Sequence, residues 1–176
     1  IQYQIDADKI VTLTIDMPGQ SANTMNAAYR EAMGETINRL EADKADIAGV
    51  ILPSGKSTFF AGGDLNELVQ AQPEHAEAFF QMVETIKGQL RRLEKLGKPV
   101  VAAINGAALG GGFEIALACQ RRISLSNSKI QLGLPEVTLG LLPGGGGVTR
   151  LVRLLGLQAA FPFLMEGKRV RPQAAL

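Results

Sequence analysis

Cysteine and histidine each occur only once in the 176 residues, as Cys119 and His75. A single cysteine excludes an intrachain disulfide, and the apolar neighbours of Cys119 favour a buried structural thiol over a nucleophile. His75 stands at the polar start of a predicted helix. No neighbour in the sequence could orient its ring, so a catalytic role is the less favoured alternative. Neither residue type therefore offers a strong candidate for chemistry.

An excess of charge of one sign is also missing, because Lys and Arg number 18, Asp and Glu number 17, and the formal net charge is +1. This balance indicates neither a nucleic acid nor a membrane surface as partner. No apolar run reaches transmembrane length, and the first residues lack the features of a signal peptide, so we expect neither feature. The composition, 46% hydrophobic and 20% charged, is that of a globular protein, and we expect one domain over residues 1–176.

Short apolar segments alternate with segments of helical periodicity, and this pattern predicts an α/β fold. The predicted strands are a hairpin at 3–6 and 10–15, a buried parallel strand at 49–52, and a pair at 122–126 and 129–132. The predicted helices are 26–43, a long one from 73 to about 96, 148–155 and 157–165, with a flexible glycine turn at 144–147 before the third. No repeat or linker divides the chain.

The most informative stretch runs from Lys98 to Cys119. An unbroken apolar run after Pro99 predicts a strand buried on both faces. A glycine-rich turn then opens into a small, apolar, buried helix that carries one carboxylate, Glu114. An isolated ionised carboxylate is very costly in such surroundings, so Glu114 must be hydrogen-bonded, paired or protonated. It is the first candidate for a catalytic residue.

Two glycine turns could supply backbone N–H groups rather than bind nucleotides. The glycines lack the spacing of a P-loop and of a dinucleotide fingerprint. Gly63 precedes a short helix capped by an acidic residue, and Gly111 opens the buried one, so their amides could stabilise an oxyanion, by about 3 kcal/mol per donor. For either turn considered alone, the alternative is that its glycines only allow the backbone to bend tightly and bind nothing.

Glu136 is a second acid among aliphatic residues, and it follows Glu114 by 22 residues. Over that distance the chain can return to the same pocket, where two carboxylates could hold one proton between them and act as acid and base. The alternative for Glu136 is a first-turn helix residue stabilised by the helix dipole.

Three segments, in order and spacing, resemble the signatures of the crotonase (enoyl-CoA hydratase/isomerase) superfamily: AGGDL at 61–65, NGAALGGGFEIA at 105–116 and GLPEVTLG at 133–140. The resemblance implies a spiral of ββα units, here truncated before the C-terminal helices. It implies that Glu114 and Glu136 are catalytic and that the Gly63 and Gly111 amides form the oxyanion hole. It further implies that the substrate is bound by Ala61, Gly62, Gly63, Asp64, Leu65, Asn66 and Gly111.

Both acids together imply an enoyl-CoA hydratase, which adds water across C2=C3 of a 2-enoyl-CoA in fatty-acid β-oxidation. The alternatives are 3-enoyl to 2-enoyl isomerisation on the same site and a non-catalytic acyl-CoA-binding domain. The reaction needs no metal or redox cofactor, and coenzyme A enters as part of the acyl-CoA substrate.

Residues 167–176 resemble the bifunctional fatty-acid oxidation α-subunits, in which an NAD-dependent dehydrogenase follows. We therefore expect a fragment of a longer cytoplasmic protein, with any NAD site outside this chain. The intact protein is expected to form a homo-oligomer or a thiolase-containing complex. The isolated fragment is expected to be impaired, because part of the acyl pocket would be missing.

Overall fold

Two sheets and six helices make up the computed structural model, which describes residues 1–175. The strands are β1 (Gln2–Ile5), β2 (Ile10–Thr14), β3 (Gly49–Pro53), β4 (Val100–Ile104), β5 (Ala108–Leu109), β6 (Arg121–Ser124), β7 (Leu132–Gly133) and β8 (Arg169–Val170). The helices are α1 (Ala27–Ala42), α2 (Leu65–Val69), α3 (Ala76–Glu94), α4 (Gly111–Ala118), α5 (Gly147–Leu155) and α6 (Leu157–Met165). Short 3₁₀ segments include Pro73–His75 before α3 and Pro135–Leu139 after β7.

The larger sheet has the order β1-β2-β3-β4-β6, and the smaller has the order β5-β7-β8. β1 and β2 pair antiparallel, with Tyr3 opposite Leu13, which confirms the predicted hairpin. β2, β3, β4 and β6 are mutually parallel, which confirms the predicted direction of the strand at 49–52. The α/β prediction is therefore confirmed.

The first predicted helix is also confirmed, with its start at the predicted cap. The Asn26 side chain accepts a hydrogen bond from the Tyr29 amide at 2.9 Å. It thereby satisfies one of the N–H groups that lack a partner at a helix start. Met33, Ile37 and Leu40 follow at helical spacing and are fully buried in the core.

The prediction that the strand after Pro99 is buried on both faces is wrong, and the strand at 49–52 is likewise buried on one side only. Buried and half-buried residues alternate along β4. On the same outward face, Ile51 in β3 is 37% exposed and Ile123 in β6 is 65% exposed. In the part of the chain that the structure describes, only one face of the larger sheet is covered.

The predicted strand pair at 122–126 and 129–132 is wrong as a pair. β6 lies beside β4 in the larger sheet, whereas β7 lies between β5 and β8 in the smaller one. A turn at Asn127 carries the chain between the sheets. Its carbonyl accepts from the Ile130 amide at 3.1 Å and its side chain from the Lys129 amide at 2.9 Å. The Asn127-Ser128 dipeptide thus lies in a link between the two sheets and not in a hairpin turn.

The long helix is confirmed over α3, but the apolar stripe in its first half is not buried. Ile86, Leu90 and Leu93 are buried, whereas Phe80 is 55% exposed. Phe79, on the same half of the helix, lines an open pocket. The spacing of apolar residues therefore predicted the helix correctly, but it did not predict what the first two turns of the helix contact.

All eight residues of α4 are buried, because this helix packs closely against the chain around Phe60. A Cβ added at Gly112 would lie 2.3 Å from the Phe60 carbonyl oxygen. A backbone oxygen cannot rotate away as a side chain could. Only glycine therefore allows α4 to lie this deep, and α4 is the helix that carries Glu114.

Gly112→Ala is expected to lower the free energy of unfolding by about 3 kcal/mol or more, since backbone must shift to relieve the overlap. Chemical denaturation measures the change. The matched control is Gly88→Ala in α3, where nothing lies within 4 Å of an added Cβ. Its expected effect is a gain of about 0.5–1 kcal/mol from helix propensity. Equal unfolding midpoints for the two variants would contradict this packing argument.

Candidate active site

A pocket of about 1250 Å³ lies between the first half of α3, the 61–71 segment, the start of α4 and the 3₁₀ segment Pro135–Leu139. Every residue predicted to act on or bind a substrate lines it: Ala61, Gly62, Gly63, Asp64, Leu65, Asn66, Gly111, Glu114 and Glu136. The structure thus brings the three sequence segments together at one place. Their individual roles remain predictions.

The Gly63 and Gly111 amides lie in adjacent backbone segments. A Cβ added at Gly111 would be 3.8 Å from the Gly62 carbonyl carbon, which is bonded to the Gly63 nitrogen. A Cβ added at Gly62 would likewise lie 3.8 Å from the Gly111 nitrogen. Within residues 1–175, neither amide donates to a backbone carbonyl in a turn, loop or cap, or to a side chain. Two amides without such a partner therefore lie near each other at this end of the pocket.

The turn before α4 has a backbone that strongly favours glycine. Gly110 has φ +53°, which L side chains rarely adopt, and its carbonyl accepts from the Phe113 and Glu114 amides at 2.8 and 3.0 Å. A Cβ added at Gly110 would also lie 3.2 Å from Glu136 Oε1. This glycine thus starts the helix while leaving room for the second acid.

Glu114 lies in the first turn of α4 and is only 2% exposed. The Gly147 amide donates a hydrogen bond to its Oε1 at 2.8 Å. Burial raises the pKa of Glu114, while the amides of Gly147 and Gly145 and the charge of Arg150 act in the opposite direction. The expectation that a buried carboxylate needs a hydrogen-bond partner is met by a backbone turn.

Glu136 lies in the first turn of the 3₁₀ segment, so the helix-start alternative and the pocket position both hold for it. Its Oε2 is buried and has no hydrogen-bond partner among the described residues. Burial raises the pKa of Glu136 to about 7, with a further contribution from the charge of Glu114. The two carboxyl groups are thus close enough to influence each other, and near neutral pH Glu136 can hold or release a proton.

The sequence did not reveal what holds Glu114. The segment Gly144–Gly147 was predicted only as a turn, yet it packs directly against this acid. A Cβ at Gly145 would lie 2.7 Å from Glu114 Oε2, and one at Gly147 would lie 2.9 Å from Oε1. Four consecutive glycines downstream of a buried carboxylate were the available signal, because glycine is needed wherever backbone must approach closely.

Cys119 is the buried structural thiol that the sequence favoured, and His75 makes a capping contact that the sequence did not predict. The His75 Nδ1 accepts from the Gln72 amide at 3.3 Å, a capping contact before α3, although the residue also borders the pocket. The Cys119 thiol is buried, contacts the Ile115 carbonyl at 3.3 Å, and burial raises its pKa to about 12. A thiol in this state is a poor nucleophile at neutral pH.

Within residues 1–175, no group of three or more His, Cys, Asp or Glu side chains is arranged to hold a metal ion. None of the helices in that range has both the length and the apolar character needed to cross a bilayer.

Comparisons with known proteins agree on one family. The sequence profile described as enoyl-CoA hydratase/isomerase matches residues 6–176. The chain is 44% identical over 174 residues to the fatty acid oxidation complex subunit alpha of Idiomarina loihiensis, and 43% identical over 175 residues to the protein of that name from Aliivibrio fischeri. These alignments include 98% and 97% of this chain. The chain spans only 24% and 25% of the length of those relatives.

Solved structures match over nearly the whole chain. An enoyl-CoA hydratase from Bacillus anthracis superimposes with a TM-score of 0.87 at 33% identity, covering 99% of this chain and 65% of that one. One from Geobacillus kaustophilus superimposes with a TM-score of 0.86 at 31% identity, covering 97% and 62% respectively. The chain thus spans a little under two thirds of these structures.

Proposed function

The chain belongs to the enoyl-CoA hydratase/isomerase family, and on that premise we propose that its pocket hydrates 2-enoyl-CoA thioesters. The family resemblance and the crotonase-type fold inferred from the sequence motifs are confirmed by the matches above. One observation carries the finer proposal. Two free backbone amides and two acids with raised pKa values share a single pocket.

The two amides are proposed to bind the thioester oxygen. Polarising that carbonyl draws electron density away from C3 and makes it electrophilic. When water attacks, the C2=C3 electrons move toward the carbonyl and negative charge collects on the oxygen as an enolate. The Gly63 and Gly111 amides, the second at the positive end of α4, would stabilise that charge.

The two acids are proposed to divide the proton transfers. Glu114 takes a proton from the water as its oxygen bonds to C3, and Glu136 gives its proton to C2 as the enolate collapses. The contacts support this division. Burial raises the pKa of both acids, but the Gly147 amide donates to Glu114 and favours its ionised form, whereas Glu136 has an unpartnered buried oxygen and a pKa of about 7. Exchange of one proton between the acids, or with solvent, restores the starting state.

Isomerisation of 3-enoyl to 2-enoyl-CoA is the second candidate activity. It needs removal of a proton at C2 and return of a proton at C4 while the same amides hold the enolate. The Glu136 carboxyl favours it, because a group with a pKa near 7 can carry a proton in either direction. Hydration requires a water molecule at C3 between the two acids, whereas isomerisation requires an acid that can deliver a proton to C4.

The pathway and the assembly of the intact protein are proposed from its relatives, and the cofactor requirement is proposed from the reaction chemistry. Similar proteins are named fatty acid oxidation complex subunit alpha, which supports a role in fatty-acid oxidation as part of a complex. A cytoplasmic location, and assembly as a homo-oligomer or with a thiolase, are proposals that this name does not test. Addition of water and proton transfer involve no change of redox state. Coenzyme A is therefore proposed only as part of the substrate, with any NAD bound outside this chain.

Parallel assays of the intact protein with a 2-enoyl-CoA and the matching 3-enoyl-CoA test the proposal. Hydration, followed as loss of the conjugated thioester absorbance, is expected to be the faster reaction. Isomerisation without hydration would support the second candidate instead. Binding of both thioesters without turnover of either would indicate a binding domain and overturn the proposed activity.

A further inference from the structure

Arg150 lies outside the substrate pocket, on the far side of the glycine turn that contacts Glu114. Its side chain is 12% exposed. Nη1 donates a hydrogen bond to the Gly145 carbonyl at 2.8 Å, and Nη2 lies 3.4 Å from Glu94 Oε2 at the end of α3. One guanidinium therefore joins α3, α5 and the glycine turn.

The turn lies between this guanidinium and the acid. Gly146 has φ +100°, and a Cβ added there would lie 2.5 Å from Arg150 Nη1. On the opposite side, Gly145 and Gly147 contact the Glu114 carboxylate, and the Gly147 amide donates to it. Any displacement of the turn would thus move the donor that orients Glu114.

We propose that Arg150 is a positioning residue, which fixes the turn 145–147 and thereby the orientation and ionised state of Glu114. This inference rests on the proposed function only in taking Glu114 as the base that activates water. Arg150 itself is not placed in contact with substrate. Its action passes through the Gly145 carbonyl and the Gly147 amide.

The charges around this cluster come from three elements. From α3, Glu94 faces Arg150 and is shared with Arg91, whose Nη1 lies 2.6 Å from Glu94 Oε2. From the 3₁₀ segment, Glu136 lines the same pocket as Glu114, whose charge raises the Glu136 pKa. From α5, Arg150 is the cation whose charge lowers the pKa of Glu114 against the larger effect of burial. Removing it should therefore favour the protonated form of Glu114.

The test compares Arg150→Met, Arg150→Lys and the control Arg153→Met in the intact protein. Arg153 is an exposed arginine three residues further along α5. Arg150→Met is expected to lower kcat by about 10–100-fold, because a small displacement of a catalytic group has effects of that size. The acid limb of its pH–rate profile is expected to move up by about one unit. Arg150→Lys keeps the positive charge but not the two-pronged guanidinium, so it should lose less activity than Arg150→Met. Arg153→Met should have the activity of the wild type.

A second readout does not depend on turnover. The Glu114 carboxyl is titrated by ¹³C NMR, with its signal assigned by its absence in Glu114→Gln. A raised Glu114 pKa in Arg150→Met without any hydration by wild type would retain this inference and overturn the proposed function. Lower activity with an unchanged Glu114 titration would overturn the inference, since it indicates a merely structural role. If Arg150→Met does not fold, Arg150→Lys decides: a lower kcat is expected, because Lys cannot contact both the Gly145 carbonyl and Glu94 as the guanidinium does. A wild-type kcat in Arg150→Lys would then overturn the inference.

Discussion

Glu114→Gln is expected to lower kcat for 2-enoyl-CoA hydration by about 10³-fold or more, within the range seen for loss of a general base. The amide side chain has almost the same shape, and its oxygen can still accept the Gly147 hydrogen bond made at 2.8 Å. It cannot take a proton from water. Because the Gly63 and Gly111 amides are untouched, KM is expected to change little. Steady-state kinetics on the intact protein provide both numbers.

The matched control is Glu35→Gln, an exposed acid on α1 outside the pocket, which should behave as wild type. Glu136→Gln should also lose hydration, since it can no longer deliver a proton to C2. Binding of a saturated acyl-CoA should persist in both active-site variants. Turnover that stays at the wild-type level in Glu114→Gln and Glu136→Gln would remove both acids from the mechanism.

Local patterns were sufficient for the elements that depend on local interactions. The hairpin β1–β2 follows from alternation around a short turn, and α1 follows from the Asn26 cap and a stripe of apolar residues. Glu114 could be selected for a related reason. Burying a lone carboxylate in an apolar helix costs much free energy unless the group has a specific partner, so its presence there indicates a role. Glu136 could be paired with Glu114 from its apolar surroundings and spacing, but a helix start explained it equally well, and the family resemblance decided between the two.

The errors concern contacts between segments far apart in the chain. Whether the outward side chains of β3, β4 and β6 are covered depends on what packs over the sheet, which an apolar run does not encode. The first half of α3 has a buried-looking stripe but borders the pocket instead. The contacts of Arg150 with Gly145 and Glu94 join residues of three segments, so sequence spacing could not have revealed them.

Gly111→Pro is expected to lower kcat for hydration by about 10²–10³-fold, the effect of losing one oxyanion donor. Proline removes the amide hydrogen that is proposed to bind the thioester oxygen. Position 111 is the first residue of α4, where proline is well tolerated because that N–H has no partner within the helix. The helix, and with it Glu114, should therefore remain in place.

Gly111→Ala separates the effect of losing the amide hydrogen from the effect of the added Cβ. Both substitutions introduce a Cβ, which would meet the Met25 Cε at 2.9 Å, the mobile end of a flexible side chain. Alanine keeps the N–H, so we expect it to retain most of the activity while proline does not. Equal losses in the two variants, at equal stability, would mean that crowding near Met25 is responsible. The Gly111 amide would then have no part in stabilising the enolate, and the polarising role would rest on Gly63 alone.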